Sequence, residues 1–265
     1  MPAPRAALES WLPTPFTAAG RTHDVYEKGA GPGVVLLPEI PGITPEVLGL
    51  ADHLVERGFH VAIPSLLGTP GREASMAYAM RGMVRICVSA EFRALATDVR
   101  RPVADYVRAL ARDLDDRTPG PGVGVIGLCF SGGFALAAAV EEAVVAPVLS
   151  QPSVPLPASA RRRADPGVSR AELAAVVDRT EKSGLCLLGL RFSEDKVAAR
   201  ERFATLRAHL GDAFEVIELD SSPGNPDGFG RGAHAVLTEE VRETPDHAAF
   251  AARERVVAFL TERLM

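Results

Sequence analysis

Short apolar runs alternate with longer stretches of helical spacing along most of the chain. Val34-Val35-Leu36-Leu37 is continuously apolar, and residues 59–64, 123–128, 146–150, 185–192 and 214–219 are similar short segments. Such runs are expected of strands buried on both faces of a sheet. Between them the pattern changes to helical. Residues 44–57 begin with Thr44 as a candidate N-cap and Pro45 in the first turn, and stop at Gly58. From Thr97 onward Val99, Val103, Tyr106, Val107, Leu110 and Leu114 share one helical face. Further helices are predicted after Gly132, from Ser169 to about Lys182, over 198–210 and over about 245–263. Repeated strand–helix units predict an α/β fold, with a mostly parallel sheet, right-handed crossovers and helices on both faces. One domain over residues 1–265 is expected.

Four segments stand outside that alternation. Residues 1–20 carry Pro2, Pro4, Pro13 and Pro15 without sustained periodicity, and read as an irregular lead-in around Trp11 and Leu12. Residues 16–28 alternate weakly about Ala19-Gly20, which suggests a hairpin or an edge strand. Residues 72–95 place Met76, Met80, Met83, Val84, Ile86 and Phe92 at roughly helical spacing among Arg72, Arg81, Arg85 and Arg93. This helical segment suits a position over the active-site edge of the sheet. Its methionines fit simple core or the lining of an adaptable pocket, and its arginines fit a solvated face or an anionic substrate group. Residues 151–167 form a Pro- and Arg-rich loop with no role evident.

Composition narrows the function. A 265-residue chain with 47% hydrophobic and 24% charged residues is ordinary globular material. Its net charge of −5 argues against nucleic acid or an anionic membrane as partner and favours a small molecule. Three cysteines, Cys87, Cys129 and Cys186, form no Cys-x-x-Cys pair and no even framework; Cys186, inside an apolar run, reads as core. The first thirty residues show no basic-then-apolar leader and no apolar run approaches the ~20 residues of a membrane span, so a cytoplasmic location is expected. No cofactor or metal is implied, and the protein is expected to be a monomer or homodimer.

The chemistry concentrates where the run Val123–Leu128 meets Cys129-Phe130-Ser131-Gly132-Gly133. Strand, sharp turn and helix in immediate succession would expose the Cys129 side chain at the sheet's C-terminal edge. The opening helix places positive partial charge beside it, which favours a thiolate nucleophile. A structural cysteine in an ordinary βα turn would look the same in isolation. Glu39 ends the strand at 34–37 and so belongs to the edge where α/β sheets bind ligands, as a functional carboxylate or a solvated loop residue. Asp195 follows the strand at 185–192. His234 follows the last strand, in a long loop of Gly, Pro and Asn. Nucleophile, acid and histidine in the order Cys129, Asp195, His234 is the α/β-hydrolase order.

These residues resemble the dienelactone hydrolase family of α/β-hydrolases. The resemblance runs from about Val34 to the last helix and rests on Pro38-Glu39-Ile40-Pro41-Gly42, on Gly127-Leu128-Cys129-Phe130-Ser131-Gly132-Gly133, on Asp195 and on Gly232-Ala233-His234. It implies hydrolysis of an ester or lactone through a cysteine acyl-enzyme. Cys129 would be the nucleophile, His234 the base, Asp195 its orienting acid and Glu39 a carboxylate governing the thiol, with an oxyanion hole from the backbone N–H groups of Ile40 and Phe130. Two positions depart from the family pattern. Ser131 replaces the usual elbow glycine, and Ala235-Val236-Leu237-Thr238 follows His234 where the family places a serine and then an arginine that helps bind the substrate carboxylate. Two rival readings remain at this level: Ser131 as the nucleophile, and a non-catalytic ligand-binding or sensing protein on the same fold.

Overall fold

The computed structural model describes residues 2–265. Eight strands form one sheet: β1 (Leu12–Ala18), β2 (Arg21–Lys28), β3 (Gly33–Leu37), β4 (His60–Pro64), β5 (Val123–Leu128), β6 (Val144–Ser150), β7 (Leu187–Phe192) and β8 (Phe214–Leu219). Their spatial order is β1-β2-β4-β3-β5-β6-β7-β8. β1 and β2 are antiparallel to each other, β2 is antiparallel to β4, and every remaining pairing is parallel.

The lead-in expected over residues 1–20 gives way to regular structure at Leu12, where β1 begins. Pro13 and Pro15 disguise it. Proline cannot donate to a ladder, but an edge strand has one side without a partner, and two prolines at alternate positions are tolerated there. Trp11, just before β1, is buried in the core.

The helices are α1 (Pro45–Glu56), α2 (Met76–Val88), α3 (Pro102–Arg117), α4 (Gly132–Ala138), α5 (Ala160–Ala164), α6 (Arg170–Ser183), α7 (Arg200–Leu210) and α8 (Ala248–Leu264). The period-two alternation of each strand divides the core between the two sheet faces. Val34, Leu36, Ile126 and Leu128 pack with α1 and α8. Val35, Leu37, Val123 and Val125 pack with α3 and α4. On α3, which starts with Pro102 at its first position, Val103, Tyr106, Val107, Leu110 and Leu114 are all fully buried. Burial of a single Val or Leu side chain contributes about 1.5–3 kcal/mol, so this face alone secures the helix.

Helix α2 corrects the reading of Met76 and Met80 as core, while Met83 is half-buried and packs against the core as expected. The inner face of the helix is Tyr78, Gly82 and Ile86, whereas Met76, Met80, Val84 and Val88 are exposed at four-residue intervals. Gly82 decides which face turns inward: a Cβ there would come within 3.0 Å of Ile40, so α2 rests on the loop that follows β3. Cys186 is half-buried, just ahead of β7. No helix among the described residues is long and apolar enough to cross a membrane.

Candidate active site

Leu37 on β3 pairs with Gly127 on β5, so the segments that leave these neighbouring strands emerge side by side. Cys129 is the first residue after β5 and has φ 53°, a left-handed conformation that is rare for a residue with a Cβ. A turn that tight requires glycine at its flanks. A Cβ on Gly127 would stand 2.4 Å from the Ser131 carbonyl oxygen, and one on Gly132 would stand 2.8 Å from Pro152. Helix α4 begins at Gly132, and all seven of its residues are buried.

Ser131 secures the turn from inside. Its fully buried Oγ accepts a hydrogen bond from the Leu128 N–H at 2.9 Å and has the carbonyls of Leu128 and Leu37 as acceptors at 2.8 and 3.0 Å. A hydroxyl so enclosed is a structural group of the elbow, which speaks against its service as nucleophile.

Asp195 and His234 meet as the strand order requires. The Asp195 carboxylate accepts from the Val197 and Ala198 N–H groups through Oδ1, at 2.8 and 3.1 Å. Its Oδ2 lies 2.7 Å from His234 Nδ1. Burial alone would raise the Asp195 pKa, but the His234 hydrogen bond and charge, with the two backbone donors, hold it below the usual carboxylate range. His234 is pushed the other way. Burial disfavours its charge, yet the adjacent Cys129 and the Asp195 carboxylate outweigh that cost and hold the imidazolium well above its ordinary pKa. The His234 Nε2 is buried and has no hydrogen-bond partner among the described residues.

Glu39 lies two residues beyond β3 and is buried. Thr238 Oγ1 donates to its Oε1, and the Gln151 amide donates to its Oε2 at 3.1 Å. Both carboxylate oxygens are therefore engaged by neutral donors. Burial is the dominant influence and raises its pKa to about 7 against the opposing pull of Thr238, the His234 charge and Gln151. The Cys129 sulfur has a different contact: Ser153 Oγ at 3.3 Å. Ile40 and Phe130 stand next in sequence to Glu39 and Cys129 and share this edge with them.

Gln151, Ser153 and Thr238 were not among the site residues expected from sequence. The first two lie just beyond β6, which pairs with β5, so the strand-edge argument applied to Glu39 reaches them too. Thr238 occupies the stretch where the family arginine was missed. None of the four arginines weighed for an anionic group makes a hydrogen bond or ion pair with Glu39, Cys129, Asp195 or His234 among the described residues. Arg72 stacks on the Tyr78 ring at 4.4 Å, Arg93 donates to the Arg100 carbonyl, and Arg81 and Arg85 are exposed on α2. A cleft of about 740 Å³ between Pro121, Val145, Arg179 and Leu185 opens at the opposite end of the strands, away from this chemistry.

The sequence pattern of the dienelactone hydrolase family matches residues 21–263. The chain belongs to the dienelactone hydrolase family. It is similar to a carboxymethylenebutenolidase of Rhodococcus opacus, with 33% identity over 126 residues, or 45% of this chain and 43% of that protein. The match thus spans less than half of that relative's length. Among solved structures, a dienelactone hydrolase-like promiscuous phosphotriesterase from metagenomic libraries superposes with a TM-score of 0.63 at 16% identity, covering 96% of this chain and 98% of its own. A dienelactone hydrolase from Anabaena variabilis gives 0.59 at 14% identity, with 96% and 98% covered. At such identities the likeness establishes the α/β-hydrolase fold.

Proposed function

We propose that this dienelactone hydrolase family member hydrolyses a small ester or lactone through a cysteine acyl-enzyme. The carrying observation is the His234 imidazole, fixed by Asp195 at 2.7 Å and stabilised as imidazolium by Cys129, which itself stands on a positive-φ elbow. The name of the Rhodococcus opacus relative, a carboxymethylenebutenolidase, supports a lactone among the substrates.

In this mechanism the Cys129 thiolate attacks the carbonyl carbon, and the carbonyl π electrons move to oxygen. Backbone N–H groups of Ile40 and Phe130 receive that oxyanion, a type of stabilisation worth about 3–4 kcal/mol per donor in acyl transfer. When the tetrahedral adduct collapses, the His234 imidazolium gives its Nε2 proton to the departing alkoxide and a thioester remains. Neutral His234 then takes a proton from water as the water attacks the thioester. Collapse of the second adduct releases the acid and returns the thiolate–imidazolium pair. Asp195 keeps Nδ1 protonated throughout, so that Nε2 is the nitrogen that exchanges protons. Glu39 sets the local charge that the thiolate experiences.

The test is a panel of small aryl esters and lactones with intact-mass detection of the acyl adduct. Turnover by the wild-type protein, an adduct on the peptide containing Cys129, and loss of both in Cys129→Ala are expected. Full activity in Cys129→Ala would refute the reading, and ligand binding without turnover across the panel would favour a binding protein.

A further inference from the structure

The loop after β6 contacts both reactive groups at the elbow. Ser153, 1% exposed, donates its backbone N–H to the Cys129 carbonyl at 3.0 Å and places its Oγ 3.3 Å from the Cys129 sulfur. That sulfur is the one hydrogen-bonding partner of the Ser153 hydroxyl among the described residues. Two residues earlier, Gln151 holds Glu39 from a fully buried position at φ 37°. A non-glycine residue keeps such a backbone only where its surroundings over-determine it.

The surroundings here are unusual. Arg202, from α7, is completely buried and directs its guanidinium at carbonyls of this loop and its continuation: Pro152, Pro155, Arg162 and Asp165. Gln151 also donates its backbone N–H to the Leu190 carbonyl at 2.7 Å, which ties the loop to the end of β7. Pro152 in turn lies against Gly132 at the start of α4. The hydroxyl of Ser153 is therefore held in place by three elements, and its direction toward sulfur is built into the fold.

We propose that Ser153 is a positioning residue for Cys129, whose hydroxyl donates to the reacting sulfur and holds it in its attacking orientation by a bond independent of His234. The proposal rests on Cys129 being the nucleophile. A thiol can donate to Ser153 or accept from it, but a thiolate only accepts, so the bond strengthens when the sulfur is charged. The titratable group coupled to the sulfur is His234, with Asp195 behind the imidazole and with Glu39 and Glu239 acting on the same histidine from the other side of the site. Removing a neutral hydroxyl leaves all four in place, so any change in the thiol's titration is traceable to the lost hydrogen bond.

The experiment compares wild type, Ser153→Ala, and the isosteric pair Ser153→Thr and Ser153→Val, by iodoacetamide alkylation of Cys129 against pH and by ester kinetics. Ser153→Ala and Ser153→Val are expected to move the alkylation midpoint up by about 1 pH unit, the scale of one charge-assisted hydrogen bond. At neutral pH they should lower kcat about tenfold with KM little changed, and Ser153→Thr should stay near wild type in both. The Thr/Val pair has one shape, so it carries the test even if the alanine variant folds poorly. Equal displacement of Thr and Val, or a wild-type profile in folded Ser153→Ala, would overturn the proposal. Ester turnover that depends on Cys129 but not on Ser153 would sink this inference alone. A displaced alkylation profile in a protein that turns over no ester would leave the inference standing while the hydrolase reading fails.

Discussion

Replacing Glu39 by glutamine should make the protein more stable at alkaline pH and leave it nearly unchanged in acid. Burial raises the Glu39 pKa from an ordinary 4.5 to about 7. Between those two values the unfolded chain has lost the carboxyl proton while the folded protein retains it, so folding stability falls as pH rises through the window. A displacement of roughly 2.5 units at 1.36 kcal/mol each puts the cost of the ionised group at about 3 kcal/mol above pH 7. Glutamine fits the same bonds: its Oε1 accepts from the Gln151 amide, and its amide group donates to the Thr238 hydroxyl, which now acts as acceptor. Any constant penalty from that reversal is independent of pH, so the diagnostic quantity is the change in the stability difference with pH. His234 titrates in both proteins and cancels to first order. Urea unfolding of wild type and Glu39→Gln at pH 5, 7 and 8.5 should show the variant gaining about 2.5 kcal/mol on wild type across the series, because a part of the effect is already present at pH 5. A difference that stays flat over that range would refute the argument and mean that Glu39 is ionised in the fold at no special cost.

Asp195→Asn should keep its Oδ1 bonds to Val197 and Ala198 but present an amide to His234 Nδ1. That favours the wrong imidazole tautomer, and kcat for an aryl ester is expected to fall by about a thousandfold or more with an unchanged circular dichroism spectrum; a fall of less than tenfold would remove Asp195 from the mechanism. Arg202→Met should leave four loop carbonyls without their buried donor and lower unfolding stability by about 3 kcal/mol or more in urea titration. The same variant should slow Cys129 alkylation, because the loop that carries Ser153 loses its anchor.

The features legible in the sequence were those that repeat or that concentrate rare residue types. Buried parallel strands announce themselves as apolar runs, and the elbow does so through its glycines around Cys129. The order of Cys129, Asp195 and His234 then places three side chains at one edge without any knowledge of distances. Gln151, Ser153 and Thr238 were not legible because single common polar residues carry no pattern, and a Pro- and Arg-rich loop reads as surface until Arg202 is seen buried among its carbonyls. Helix α2 shows a different limit. The helical spacing of Met76, Met80, Met83, Val84, Ile86 and Phe92 marks a helix, but it mixes residues that end on opposite sides and does not say which side faces the protein. Here the close approach that Gly82 permits against Ile40 turned Tyr78, Gly82 and Ile86 inward. In β1 the two prolines suppressed a strand signal that edge position makes permissible.

The left-handed backbone at Cys129 sets the reactive residue against the fold that presents it. At φ 53° a side chain crowds its own carbonyl, a conflict worth about 1–2 kcal/mol that glycine does not experience. The amino acid best suited to position 129 by conformation is thus the one with nothing to react. Selection for stability alone would drift this site toward glycine, and a duplicated copy relieved of its chemistry would have a direct thermodynamic route to losing the nucleophile while keeping the sheet, the elbow and the surrounding loop intact.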